Sequence, residues 1–346
     1  MLAIETSCDE TSAAVVVNGT VRSNVVASQV RLHSEYGGVV PELATREHLR
    51  NILPVIRSAL DQAGVMLSQV SVVAATQGPG LPAALLAGYT TAQAVAYSLN
   101  LPLLAIHHHE AHLYSPWIAG NPPRAAFERF EPNISLIVSG GHTLLVHVTD
   151  GLRHRVLGST LDDAAGECFD KVAKLLALPF PGGPVLDEIA ESGNAAAFEF
   201  PRSLLHEPHD NFSFSGLKTS VRYFLEKRPK LLGDATSLRD VCASVRAAIV
   251  DVLVGKTVRA ARRMGVMCIT ASGGVSANRA LRRQLAAECS RHRLRLHLAD
   301  PAFCTDNAAM VGILAGQKWL AGEPPTPWDA ETRPGWPLEQ GANGEG

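Results

Sequence analysis

Two stretches in opposite halves of the chain follow one plan: a strand, a short turn of small and polar residues, and a second strand. The first runs Ala3-Ile-Glu-Thr, a polar turn from Ser7 to Thr11, then Ser12-Ala-Ala-Val-Val-Val. The second runs Ile134-Ser-Leu-Ile-Val, the turn Ser139-Gly-Gly-His-Thr143, then Leu144-Leu-Val-His-Val. Apolar and β-branched runs bounded by turn formers read as strands. A third turn, Ser272 to Asn278, follows the strand-like Val266-Met-Cys-Ile-Thr and leads into the helix-like Arg279-Ala-Leu-Arg-Arg-Gln-Leu. A strand-turn unit recurring in both halves predicts a duplicated α/β fold. Helical periodicity marks Glu42 to Ala63, Leu81 to Leu99, Leu161 to Leu178 and Leu238 to Met264. Ser159 and Thr160 each stand three residues before an Asp, which predicts a capping box at the start of the Leu161 helix.

A chain of 346 residues buries roughly 75% of its unfolded surface, enough for two lobes without metals or crosslinks to hold the core. From Gln62 to His109 there are 48 consecutive residues without Asp, Glu, Lys or Arg. A membrane span needs about 20 predominantly apolar residues. Gln77-Gly-Pro-Gly80, Thr90-Thr-Ala-Gln93 and Ser98-Leu-Asn-Leu-Pro102 interrupt this run, so it reads as a buried strand, a glycine turn and a small-residue helix, with no membrane span. The six cysteines lie far apart with no C-x-x-C pair, and no basic segment precedes an apolar one at the start of the chain. Reduced thiols and a cytoplasmic location are expected. Strand-like sequence begins at once at Met1-Leu-Ala-Ile, as though the first residues of a strand were missing. Of the last 26 residues ten are Pro or Gly, so 323–346 is expected to be an irregular tail.

His107-His-His-Glu-Ala-His112 is the loudest local signal. Residues four apart share a helix face, so His108 and His112 can offer two imidazoles to one metal ion. Glu110 falls two residues after His108, unlike the H-E-x-x-H protease pattern, in which Glu directly follows the first His. A polar helix end is the competing reading. A third ligand is needed, and Asp300 and Asp306 are candidates, the latter competing with a role as helix N-cap. The turns at Ser139-Gly140-Gly141 and Ser272-Gly273-Gly274 follow strands and can expose backbone N–H groups to an anion such as phosphate. Asp163, Glu167 and Asp170 recur on one helix face, either to bind ribose hydroxyls or as a solvated surface. The formal charge of -2 conceals an asymmetry. Ten basic residues and one acid between Lys256 and Arg295 give +9 there and -11 elsewhere. That density is either an ordinary exposed helix pair or a phosphate footprint for RNA, without interleaved aromatics for base stacking.

Ten separated motifs together resemble the bacterial TsaD family of tRNA threonylcarbamoyladenosine transferases. They are Ile4-Glu-Thr-Ser-Cys-Asp-Glu-Thr11, Gly37 to His48, Gln77-Gly-Pro-Gly-Leu81, His108 to His112, Ser139 to Thr143, Gly166-Glu-Cys-Phe-Asp-Lys171, Phe180 to Pro184, Phe212 to Lys218, Ser272 to Asn278 and Cys304-Thr-Asp-Asn307. The resemblance covers Ile4 to about Leu320. It implies an actin-like fold of the sugar kinase and Hsp70 type, with two lobes and a central cleft. The N-terminal lobe would span 1–132 and be completed by a helix at about 307–322, and the C-terminal lobe would span 133–306. The implied reaction moves a threonylcarbamoyl group from threonylcarbamoyl-AMP to N6 of the adenosine 3′ of the anticodon, in tRNAs reading codons that begin with A. By motif, His108, His112 and Asp306 would hold one divalent metal ion, Fe(2+) or Zn(2+). Ile137, Val138, Ser139, Gly140, Gly141, Asp170, Gly183, Asp187 and Asn278 would contact the adenylate. Asp9 and Glu10 are the candidates for accepting the proton or positioning the amine. The implied partners are tRNA, a TsaB-like paralogous subunit and a TsaE-like P-loop ATPase. An actin-like ATPase or kinase and a metalloprotease are the alternatives. Ala111 stands where Gly is common in the family's His motif, and Asn121 to Pro132 is longer than usual.

Overall fold

A computed structural model of the chain describes residues 1–338. Two compact units are present, residues 1–130 with 299–338, and residues 131–298. In the first, β1 (Leu2–Glu5), β2 (Glu10–Val17), β3 (Thr20–Ser28), β4 (Val73–Gly78), β5 (Leu103–His107), β6 (Ile118–Ala119) and β7 (Arg124–Ala125) form one sheet in the order β5-β4-β1-β2-β3-β7-β6. In the second, β8 (Asn133–Val138), β9 (Thr143–Asp150), β10 (Arg153–Ser159), β11 (Cys268–Ser272) and β12 (Arg295–Leu298) are ordered β10-β9-β8-β11-β12. In each, an antiparallel meander lies on one side of the first strand and two parallel strands lie on the other. Setting aside the two-residue β6 and β7, the two sheets share one topology, the duplication expected from the repeated strand-turn units.

The helices are α1 (Val30–Ser34), α2 (Pro41–Ala63), α3 (Pro82–Ser98), α4 (His108–Tyr114), α5 (Ala165–Leu175), α6 (Gly182–Ala190), α7 (Ser215–Glu226), α8 (Ala235–Met264), α9 (Arg279–Arg291), α10 (Pro301–Cys304) and α11 (Ala308–Leu320). Proline opens α2 and α3, where its missing N–H has no intrahelical partner to lose. Left-handed Gly64 and Gly265 close α2 and α8. On β1, Leu2 and Ile4 join a core with Ile52, Val55 and Ile56 of α2 and Tyr89 and Ala92 of α3. Strand alternation puts Ala3 and Glu5 on the opposite face, which α11 covers. The second core joins Ile134, Leu136 and Val138 of β8 to Cys168, Phe169 and Val172 of α5 and the apolar side of α8.

The capping box expected at Ser159 and Thr160 is not formed, and α5 begins at Ala165 instead of Leu161. Thr160 Oγ1 donates to the carbonyl of Asp163, and Asp162 turns to the start of α7, accepting from the backbone N–H of Phe214 at 2.8 Å and of Ser215 at 3.3 Å. Residues 299–306, with Asp306, fall in the first unit, because α10 buries Phe303 and Cys304 and packs on the Ser115–Trp117 turn. Residues 323–338 belong to the same unit and are irregular apart from one bridge, Thr326 to Leu103. The rest of the expected tail, 339–346, lies outside the described residues. Among the described residues no helix is long and apolar enough to cross a membrane.

Candidate active site

In the first unit, β5 delivers the chain into α4, and both of its candidate ligands converge on one carboxylate. His108 Nε2 lies 3.4 Å and His112 Nε2 lies 3.1 Å from Asp306 Oδ1. Asp306 is available because the cap of α11 is its neighbour Asn307, whose Oδ1 accepts from Met310 N–H at 3.0 Å. Asp300 takes no part, since it caps α10 through the Ala302 N–H at 2.9 Å. Glu110 pairs with Lys318 at 3.1 Å, so the protease-like reading loses its general base.

Glu5, which sequence reasoning passed over, lies fully buried beside this cluster. Its Oε2 stands 3.0 Å from His108 Nδ1 and also accepts from Thr76 Oγ1, while Ser7 Oγ lies 3.1 Å from the same nitrogen. A carboxylate taking the Nδ1 proton turns the Nε2 lone pair outward, the usual support for a metal-ligating histidine. Burial opposes protonation of His108, but Asp306 and Glu5 outweigh it and hold its pKa well above the ordinary value. Burial keeps His112 below the ordinary value. Asp306 lies well below the usual carboxylate range, because His108 and His112 overcome the effect of burial. His112 Nδ1 is buried with no hydrogen-bond partner among the described residues. Two imidazole nitrogens and one carboxylate oxygen, all within 4.8 Å of one another, are a donor set that suits a divalent transition metal.

Asp9 stands on the turn between β1 and β2, and Glu10 is the first residue of β2. Burial, then the neighbouring carboxylates of Asp9 and Asp306, push the Glu10 pKa well up. His48 of α2, within the Gly37 to His48 motif, braces this turn from Cys8 to Thr11. Glu5 had one sequence signal, a carboxylate in a strand whose neighbours are all core residues. His48 had none beyond its motif.

In the second unit the two glycine turns stand together at the carboxyl ends of the adjacent parallel strands β8 and β11. Gly273, at φ +86, passes so near Val138 that a Cβ there would lie 2.4 Å from its carbonyl oxygen. Ile137 and Val138 end β8. Ser139 N–H donates to the His142 carbonyl at 2.8 Å, which closes the turn with Gly140 and Gly141 at its open side. Such a position, outside the carboxyl ends of parallel strands, is where α/β sheets take ligands. Asp170 Oδ1 accepts from Gly183 N–H at 3.0 Å, and burial raises the Asp170 pKa. Asp187 Oδ1 accepts from Arg246 at 2.8 Å and its Oδ2 from the Arg279 N–H at 3.1 Å, beside Asn278, which caps α9. Asp163 and Glu167 are bridged by Lys171 at 2.7 and 2.8 Å, so of the three acids on that stretch only Asp170 is turned to the glycine turn at Gly183.

Most of the basic stretch is committed within the second unit. Lys256 and Arg259 donate to the His209 carbonyl, Arg263 to Asp210, Arg282 to the Ser276 carbonyl, Arg283 to Glu191 and Arg295 to Glu131. Arg262, Arg279 and Arg293 have exposed side chains with no ion pair among the described residues. Glu131, Cys268 and His297 form a second possible ligand cluster, with Arg295 already bound to the carboxylate.

Duplicated sheets of one topology, with paired glycine turns in one unit and a histidine–carboxylate cluster in the other, define a protein of the actin-like ATPase fold. Solved structures agree on the fold: HypF of T. kodakarensis at TM-score 0.63 and 15% identity, covering 93% of this chain and 48% of that one, and (R)-2-hydroxyglutaryl-CoA dehydratase component A of Acidaminococcus fermentans at TM-score 0.55 and 15% identity, covering 93% and 98%. The family model TsaD, tRNA N6-adenosine threonylcarbamoyltransferase, matches residues 20–313. Proteins of that name from Syntrophotalea carbinolica and Geotalea uraniireducens are 48% and 47% identical, each over 98% of this chain and over 97% and 96% of their own lengths. The chain belongs to the TsaD family, and its activity is transfer of a threonylcarbamoyl group to N6 of an adenosine in tRNA.

Proposed function

We propose that threonylcarbamoyl-AMP is the donor, that the acceptor is the adenosine 3′ of the anticodon in tRNAs reading codons that begin with A, and that His108, His112 and Asp306 hold one divalent metal ion, Fe(2+) or Zn(2+). The observation that carries the metal assignment is the convergence of both Nε2 atoms on Asp306 Oδ1, with Glu5 behind His108. A bound metal would supply Lewis acidity toward developing oxyanion charge. In the reaction, the N6 amine attacks the carbamoyl carbon, a C–N bond forms, the bond to the phosphate oxygen breaks, and AMP leaves with that electron pair. The amine's proton passes to the Asp9–Glu10 pair. Burial and the neighbouring carboxylates raise the pKa of Glu10, which makes it a stronger proton acceptor than an exposed carboxylate.

The adenylate would be held by the second unit. The backbone N–H groups of Gly140 and Gly141, in the turn that Ser139 closes after Ile137 and Val138, suit its phosphate. Asp170, Gly183, Asp187 and Asn278 suit the nucleoside. Since the anhydride is already activated, placement supplies most of the rate advantage. The same reading has the enzyme working in the cytoplasm with a TsaB-like subunit and a TsaE-like P-loop ATPase, on the strength of the ten motifs.

The test is formation of modified adenosine on unmodified tRNA with synthetic threonylcarbamoyl-AMP and the partner proteins, together with elemental analysis of protein purified without oxygen. Wild type should form product and carry about one metal ion per chain. A His108→Ala, His112→Ala double variant that keeps both would overturn the metal assignment.

A further inference from the structure

Residues 326–336 start with Thr326 bridged to β5, the edge strand of the first sheet, then cross α3 and the turn after β4 and finish beside His107 at the start of α4. Thr326 N–H donates to the Leu103 carbonyl at 2.7 Å, and Thr326 Oγ1 accepts from Ala105 N–H at 3.0 Å. Further along, Gln93 Nε2 donates to the Ala330 carbonyl at 2.8 Å and Gln77 Nε2 to the Glu331 carbonyl at 2.7 Å. Arg333 N–H donates to the Gln77 carbonyl at 2.8 Å, and the Pro334 carbonyl accepts from Gly80 N–H at 3.1 Å. The segment passes so close to the Gln77 turn that a Cβ on Gly78 would lie 1.9 Å from the Arg333 carbonyl oxygen. Trp336 ends it, with its ring edge-on to His107 at 4.9 Å and the Arg333 guanidinium 4.1 Å from the ring centre.

His107 is the N-cap of α4, and its Nδ1 accepts from the Glu110 N–H at 3.3 Å. In a neutral imidazole, a nitrogen that accepts leaves the proton on the other nitrogen. That other nitrogen, Nε2, faces the Trp336 carbonyl oxygen at 3.2 Å and donates to it. The Trp336 carbonyl therefore favours the one tautomer of His107 that can cap the helix. α4 has only seven residues, too few to be stable without its ends satisfied. Its first and fifth residues are His108 and His112.

We infer that residues 326–336 are a positioning strap, which through the Trp336 carbonyl and His107 sets the start of α4 and the spacing of the His108 and His112 nitrogens. The metal-binding part of this inference rests on the proposed metal centre, whereas the ordering of α4 does not.

The experiment measures amide hydrogen exchange at Glu110 to His112 in the metal-free full chain, and zinc affinity by titration. Gly78→Ala displaces the strap without altering its residues, His107→Ala removes the cap, and His107→Asn keeps an acceptor at the cap position. Gly78→Ala and His107→Ala should speed exchange in α4 and weaken zinc binding about five- to ten-fold, with His107→Asn close to wild type. Should Gly78→Ala fail to fold, a chain ending at Thr332 replaces it, with one ending at Leu338 as its control. Wild-type exchange in α4 when strap or cap is removed would overturn the inference. Faster exchange in the variants, with no zinc bound even by wild type, would uphold the strap and overturn the metal centre.

Discussion

The Nε2–H of His48 donates to the carbonyl oxygen of Cys8 at 2.9 Å, while its Nδ1 accepts from the Thr11 hydroxyl at 2.8 Å. One neutral ring thus spans the turn that carries Asp9 and leads into Glu10, and burial lowers its pKa so that it stays neutral. His48→Ala leaves a buried hydroxyl and a carbonyl without this partner, a loss of about 1–3 kcal/mol in stability. Because the turn loosens while the glycine turns of the second unit are untouched, kcat should fall about ten-fold or more with little change in KM for the adenylate. Steady-state kinetics at saturating tRNA check this. An unchanged kcat in a folded variant would show that His48 does not organise the turn.

Glu5→Gln keeps the shape of the side chain and removes its charge. The amide can still accept from His108 Nδ1 but no longer favours the proton there, and Thr76 and Ser7 lose a charged partner. Loss of such support to a metal-binding histidine costs about 10–100-fold in metal affinity. Competition with a fluorescent chelator measures it, and affinity equal to wild type would refute the role assigned to Glu5.

For tRNA binding the structure redirects attention within the basic stretch. Reversing Arg263 or Arg283 would break the ion pairs with Asp210 and Glu191 and confound binding with folding. Arg262→Glu, Arg279→Glu and Arg293→Glu leave those pairs intact. For every phosphate that is no longer neutralised, the salt slope of tRNA affinity should fall by about 0.7 to 0.9, and affinity should fall with it. A slope identical to wild type in the triple variant would place the tRNA on other surfaces.

The fold was legible because its signals are local. Apolar and β-branched strand runs, small-residue turns and helical periodicity lie within a few residues of what they specify, and the two strand-turn units repeat. The site was half legible. His108 and His112 share a helix, so spacing announces them. Asp300 and Asp306 could not be told apart, because the choice depends on whether Asp306 or its neighbour Asn307 caps α11. Glu5 and His48 act across separations of 103 and 40 residues, which no local pattern encodes. The basic stretch shows the converse, since charge density was visible but the partners that absorb it, such as Asp210 and Glu191, are distant in sequence.

Lys256 offers a test through pH. Its side chain is buried on α8, its ammonium donates to the His209 carbonyl at 2.9 Å, and burial, with Arg259 adding to it, pushes its pKa down from 10.5 to about 8. Between those values the unfolded chain binds more protons than the folded one, so the contribution of Lys256 to stability rises with pH across that window. The contribution is fully present above the unfolded pKa and is lost as pH falls through the folded one. Lys256→Met fills the same space without a titrating group. Urea midpoints of the two proteins, measured from pH 7 to 10.5, should therefore diverge, with the difference shifting toward wild type as the pH rises. Parallel midpoints over the whole range would mean that Lys256 titrates as an ordinary exposed lysine.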